Sequence, residues 1–145
     1  MDTFVGARKC IVAGSTWPED EAVLLEAIRQ TPKDWCWLIA PHEMQEEKLH
    51  QLMAKLPEGS LRYTQNEEAA FDGCPVLVLD TVGMLGRCYP YAKIAYVGGG
   101  MGSSGLHNIL EPAAEGIPMI IGKNYQKFPE AKDLIALGGV ISVTS

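Results

Sequence analysis

Ile94-Ala95-Tyr96-Val97-Gly98-Gly99-Gly100-Met101-Gly102-Ser103-Ser104-Gly105-Leu106-His107-Asn108-Ile109-Leu110-Glu111-Pro112 reads as a buried strand, a glycine-rich turn and the opening of a helix. Pro112 has no N–H and would clash with the carbonyl four residues back, so it belongs to the first helical turn, which places the start near Asn108. A strand that feeds a helix through a short turn is the building unit of a parallel α/β sheet. Glycines at such a junction let backbone N–H groups come close to a ligand, and the helix start behind them adds a partial positive charge suited to an anion.

The same alternation runs outward in both directions. Short apolar runs at 10–13, 36–39, 61–64, 76–79, 94–97, 119–121 and 140–143 are predicted strands, separated by longer amphipathic segments. That is the pattern of a parallel sheet covered on both faces. Residues 19–30 carry Val23, Leu24, Ala27 and Ile28 as a helical stripe, 43–56 form a second helix, and further helices follow Gly83, Asn108 and Phe128. Residues 65–73 are short and polar, a brief helix or a loop. The predicted fold is α/β and Rossmann-like, with six or seven strands in one domain spanning 1–145.

Gly100-x-Gly102-x-x-Gly105 matches the spelling of the dinucleotide fingerprint. Its position differs: the fingerprint sits at the first strand-to-helix turn with an acid about 20 residues on, whereas here a fifth strand precedes it and Lys123 and Asn124 follow. A nicotinamide or flavin site is therefore disfavoured, and no cofactor is predicted.

A net charge of −6 and the absence of any basic run argue against a nucleic-acid partner. Cys10, Cys36, Cys74 and Cys88 are dispersed with no C-x-x-C pair, so neither a metal site nor a disulfide framework is expected, and reduced cytosolic thiols are. No apolar run reaches the ~18–20 residues of a membrane span, and Met1-Asp2-Thr3 does not open a signal peptide; the chain is expected to be soluble. A strand within a few residues of Met1 and another at the far end suggest a domain of a longer protein.

Ligands of open parallel sheets bind beyond the carboxyl ends of the strands, so the loops there hold the candidate residues. After the first strand, Thr16-x-x-Glu19 matches a capping box with Pro18 in the first turn. The acids Glu19, Asp20 and Glu21 disfavour phosphate at that loop, and Ser15 and Thr16 suit ligand hydroxyls. Pro41 and His42 follow the second strand, where His42 reads either as a surface cap or as a functional group. After the fourth strand Gly83 and Met84 allow close backbone approach, while Asp80 or Thr81 can cap the helix. Asn108-x-x-Glu111 is itself a cap pattern, and Glu111 is also placed to accept hydrogen bonds from a ribose. Lys123, after the sixth strand, faces an anionic ligand or solvent.

Gly14-Ser15-Thr16-x-Pro18-x-Asp20-Glu21, Pro41-His42-Glu43, Asp80-Thr81-x-Gly83-x-Leu85, the block from Gly98 to Pro112, and Gly122-x-Asn124-Tyr125-x-x-Phe128 occur in register. Together they resemble the C-terminal domain of the bacterial 3-deoxy-D-manno-octulosonic acid (Kdo) transferases, in the variant of the Bacteroides group. The resemblance implies the C-terminal half of a two-domain GT-B glycosyltransferase that loads Kdo onto lipid A from CMP-Kdo with inversion. It implies phosphate at the glycine turn and helix start (Gly99, Gly100, Gly105, His107, Asn108), ribose at Glu111, and cytosine at Pro41 and His42 with Gly83 and Met84. It implies that the acceptor-binding half, the catalytic base, a membrane anchor and the final C-terminal helices lie outside this chain. The parent enzyme would then work at the cytoplasmic face of the inner membrane, and this chain would bind without turnover. Two positions depart from the family: Ala40-Pro41-His42 stands where Pro-Arg-His is common, removing a cation, and Lys123 stands where proline is common, offering one. A UDP-sugar transferase or epimerase of the same architecture, and a non-catalytic nucleotide-binding module, are the alternative readings.

Overall fold

The computed structural model describes residues 1–102, 106 and 109–143. Seven strands form one sheet, every pair parallel: β1 (Lys9–Thr16), β2 (Trp35–Pro41), β3 (Leu61–Arg62), β4 (Val76–Val78), β5 (Ala92–Val97), β6 (Met119–Gly122) and β7 (Val140–Val143). Their spatial order is β3-β4-β2-β1-β5-β6-β7. The helices are α1 (Asp2–Val5), α2 (Pro18–Arg29), α3 (Glu46–Lys55), α4 (Leu85–Cys88), α5 (Leu110–Ala114) and α6 (Pro129–Ala136), with 3-10 turns at Tyr63–Gln65, Glu68–Phe71 and Tyr89–Tyr91.

Successive strand residues point to opposite faces, and the two buried clusters follow that period. Val12, Leu38, Leu77 and Val97 pack on one side with Phe4, Cys88, Ile109 and Ala131, so α1, α4, α5 and α6 cover that face. Ala13, Ile39, Val78 and Tyr96 pack on the other against Leu24 and Ile28 of α2 and Leu49 and Leu52 of α3. A sheet buried on both faces needs apolar residues at nearly every central position, which is why its strands read as continuous apolar runs. Cys10 and Cys36, far apart in sequence, are register partners on β1 and β2, and all four thiols are buried and free.

All seven predicted strands are present, but several boundaries moved. The third ends at Arg62, because Tyr63–Gln65 turns into 3-10 geometry. The second helix begins at Glu46 rather than 43. Pro112 sits in the first turn of α5 as its missing N–H requires, although that helix begins at Leu110.

The sequence order reverses beside β1, which pairs with β2 on one side and β5 on the other. The chain leaves β1 for α2 on one face and β5 for α5 on the other, so the carboxyl ends of these two strands are the switch point of the sheet, the general ligand position in such folds.

Candidate functional site

β1 ends in an irregularity. Its register with β2 shifts between Gly14 and Thr16, and Ser15 between them has φ 53°, a left-handed conformation uncommon for a residue with a side chain. The kink turns Thr16 inward: its buried hydroxyl donates to Glu21 Oε2 at 2.9 Å, so it faces α2 rather than a ligand. The Thr16 carbonyl accepts the His42 N–H at 2.9 Å, beside buried Pro41 at the end of β2. The exposed imidazole of His42 stacks on Trp17, with ring centroids 4.3 Å apart and planes inclined by 21°. A backbone bond and a ring stack thus join the loops after β1 and β2.

The predicted cap of Thr16 and Glu19 is displaced by one residue. Trp17 is the N-cap, and the Asp20 carboxylate accepts the Trp17 N–H at 2.8 Å, because the kink extends β1 through Thr16 and α2 starts at Pro18. Asp20 has no exposed surface. It also accepts the Tyr96 hydroxyl at 2.6 Å and the Gly99 N–H at 2.9 Å, tying the β1–α2 turn to the end of β5. Desolvation and the adjoining Asp20 carboxylate push the Tyr96 phenol well above its usual range. The sequence assigned Asp20 only a share in an acidic run that disfavours phosphate, not this linking role; the available signal was an acid at the third helical position behind a proline at the first.

The glycine turn is held tightly through residue 102. Gly98 donates its N–H to the Gly14 carbonyl at 2.8 Å, and a Cβ on Gly98 would run into the Ser15 carbonyl and come within 2.8 Å of Thr16 Cα. The Gly100 carbonyl accepts the Asn124 N–H at 2.7 Å, and the Gly102 carbonyl accepts the Asn124 Nδ2 donor at 2.9 Å. Gly99 and Gly100 are buried, and the Gly99 amide is taken by Asp20. This corrects the expectation that Gly99 presents an open amide to a ligand; Gly100 is buried against Gly122, and the absent side chains of Gly98 and Gly100 let three loops meet backbone to backbone. Gly105, His107 and Asn108 lie outside the described residues.

Glu111 is exposed in the first turn of α5. Its Oε2 lies 3.0 Å from where a Cβ on Gly86 would stand, so it borders α4, directly behind Gly83 and Met84. Gly83 is exposed with φ 90°, a value glycine accommodates without strain, and half-buried Met84 caps α4. Burial and then the Glu111 charge push the Tyr89 phenol up beneath this corner. Lys123 is exposed beside Asn124 on the loop after β6. Asp80 does not cap α4. Its carboxylate accepts the Thr64 N–H and hydroxyl at 2.9 and 2.6 Å and Arg62 Nε at 2.8 Å, because the chain after β4 runs beside the end of β3.

Ser15, Thr16, Pro41, His42, Gly83, Met84, Gly99, Gly100, Glu111 and Lys123 therefore all lie at or just beyond the carboxyl ends of the strands. A cavity of about 210 Å³ between α2 and α3 opens beside them, lined by Thr16, Glu21, Pro41, Glu43 and Lys48. A larger one of about 740 Å³, bordered by Trp35, Trp37 and Pro75, belongs to the opposite end of the sheet. Among the described residues no His, Cys, Asp and Glu cluster could hold a metal ion, and no helix is long and apolar enough to cross a membrane.

No family model matches the chain. A 3-deoxy-D-manno-octulosonic acid transferase from Chlamydophila psittaci is 31% identical over 131 residues, which cover 88% of this chain and 30% of that protein. One from Aquifex aeolicus is 30% identical over 132 residues, covering 89% and 36%. The chain is a homologue of one part of the Kdo transferases. It spans about a third of the length of these curated relatives. The crystal structure of the C-terminal CMP-Kdo binding domain of WaaA from Acinetobacter baumannii matches with a TM-score of 0.81 at 21% identity, over 99% of this chain and 77% of that one. The Rossmann-like fold expected from the Kdo transferase resemblance is the fold observed.

Proposed function

We propose that this chain is the donor-binding part of a glycosyltransferase that transfers Kdo from CMP-Kdo to a lipid A precursor. The observation that carries the reading is the junction at the β1/β5 switch point, where the turns after β1, β2, β5 and β6 converge. The similarity to Kdo transferases supports the choice of ligand.

In this reading the stretch between Met101 and α5, with Gly105, His107 and Asn108, holds the phosphate. Glu111 accepts the ribose hydroxyls, and Pro41, His42, Gly83 and Met84 surround the cytosine. Ser15 borders the ligand hydroxyls, and Lys123 supplies positive charge to the phosphate or to the Kdo carboxylate. The acceptor oxygen bonds to the anomeric carbon as that carbon's bond to the phosphate oxygen breaks. CMP leaves with the electron pair, and the acceptor proton passes to a base outside these residues. Fixed donors placed where charge develops on the leaving phosphate need no reorganisation during reaction, and one such donor is worth about 3–4 kcal/mol in other enzymes. The acceptor half and the membrane association at the cytoplasmic face of the inner membrane are proposed for the whole protein, and this chain alone binds without turnover.

CMP tests the reading directly. A ligand at a hundredfold excess over Kd adds about 2.7 kcal/mol to stability, so CMP raises Tm, and UDP-sugars and NAD(H) at equal concentration do not. A folded sample with no shift at millimolar CMP overturns it, and a shift with UDP-sugars alone transfers the site to the alternative donor class.

A further inference from the structure

The Asp20 carboxylate joins two turns that the donor reading assigns to opposite ends of one ligand. Oδ2 accepts both the Trp17 N–H and the Gly99 N–H, at 2.8 and 2.9 Å, while Oδ1 takes the Tyr96 hydroxyl. One oxygen thus anchors the base of the glycine turn and the residue whose indole supports His42. Asp20 is wholly buried in the first turn of α2, so it has no slack. The carboxylate presents acceptors to all three donors; an asparagine could keep its amide oxygen on the two N–H groups and turn Nδ2 to the Tyr96 oxygen, whereas an alanine leaves both N–H groups without their shared acceptor.

We propose that Asp20 is a positioning residue of the donor site, setting the spacing between His42 and the glycine turn through the Trp17 and Gly99 amides. The inference rests on the donor reading above. Asp20 touches no ligand in this scheme. It acts on any molecule long enough to engage both ends, and hardly on one that engages a single end.

The test compares CMP with cytidine, which lacks the phosphate, by ligand-observed NMR titration of the 145-residue chain and of Asp20→Ala, which removes the shared acceptor. The expected result is a loss of CMP affinity of about tenfold or more, with cytidine affinity changed less than about threefold. Tyr96→Phe removes one donor but leaves the Trp17–Gly99 bridge, so it lowers Tm while both affinities stay within about threefold. If Asp20→Ala does not fold, Asp20→Glu, which keeps a carboxyl group and lengthens the arm, shows the same split between ligands. Equal losses for both ligands, no loss for either, a wild type that binds CMP but not cytidine, or failure of both Asp20 variants to fold each overturn the positioning role. A wild type that does not bind CMP overturns the donor reading itself, a separate and recognisable failure.

Discussion

Gly100 and Gly122 lie backbone against backbone. A Cβ on Gly100 would stand 2.9 Å from the Gly122 nitrogen, and one on Gly122 would collide with the Gly100 carbonyl carbon and the Met101 nitrogen. The glycine turn after β5 is thereby seated on the end of β6, with Asn124 closing the contact from the other side.

Either glycine changed to alanine forces one backbone away from the other. Overpacking of this kind costs about 1–3 kcal/mol, at roughly 2–4 °C of Tm per kcal/mol for chains somewhat larger than this one. Thermal unfolding of Gly122→Ala checks it, and an unchanged Tm would refute the contact.

Arg62 and Asp80 form a buried pair at the end of β3. The Arg62 guanidinium also grips Glu46 from two nitrogens, at 2.6 and 3.1 Å. Removing one partner of a buried pair costs about 3–5 kcal/mol, so Arg62→Ala is among the most destabilising single changes expected outside the apolar core. Denaturant unfolding measures it.

The same pair sets the acid limb of stability. Burial pushes the Asp80 carboxyl up, but the Thr64 and Arg62 hydrogen bonds outweigh it and hold it below the usual carboxylate range. A carboxylate whose pKa is lower in the folded state contributes fully above its unfolded value of about 3.9, and that contribution fades as pH falls through the folded value. Melts from neutral pH downward are expected to show Tm falling steeply below about pH 4, with a shallower fall in Asp80→Asn.

Glu21 has the opposite sign. Desolvation, reinforced by the charges of Asp20 and Glu43, raises its carboxyl against the Thr16 hydrogen bond and Lys55. A carboxylate raised in the folded state favours folding while protonated and loses that advantage as pH rises through its folded value. Glu21→Gln keeps an acceptor for Thr16 and removes the half-buried charge. It is expected to raise Tm at neutral pH and to leave it nearly unchanged below about pH 4, as melts at the two pH values would reveal.

Glu111 borders α4 from an exposed position. Glu111→Ala is expected to change stability by no more than about 0.5 kcal/mol, as surface substitutions usually do. CMP affinity is expected to fall about tenfold, equivalent to about 1.4 kcal/mol. Paired melting and calorimetric titration separate the two effects, and unfolding without a binding defect would make Glu111 a structural cap.

The fold was legible because its signals are local. Runs such as Val76-Leu77-Val78 or Ile94-Ala95-Tyr96-Val97, too short for helices and alternating with amphipathic segments, have the pattern of parallel strands covered on both faces. Boundaries were less legible where one kink decides them. With Ser15 left-handed, β1 runs through Thr16, moving the cap from Thr16 to Trp17 and its carboxylate from Glu19 to Asp20. The loops that hold the candidate residues could be read from strand order alone, but the partners within them could not: Asp20 meets Gly99 across 79 residues, and Asn124 meets Gly102 across 22.

Sequence by itself determined the strands, most of the helices, the parallel architecture and the edge of the sheet where a ligand belongs, since periodicity and glycine placement are properties of neighbouring residues. Only the tertiary structure decided what the glycines do. Gly98, Gly99 and Gly100 lie where three loops converge, so their backbone is claimed by Gly14, Asp20, Asn124 and Gly122. Which amide remains for a ligand is fixed by those long-range hydrogen bonds, which no local pattern encodes.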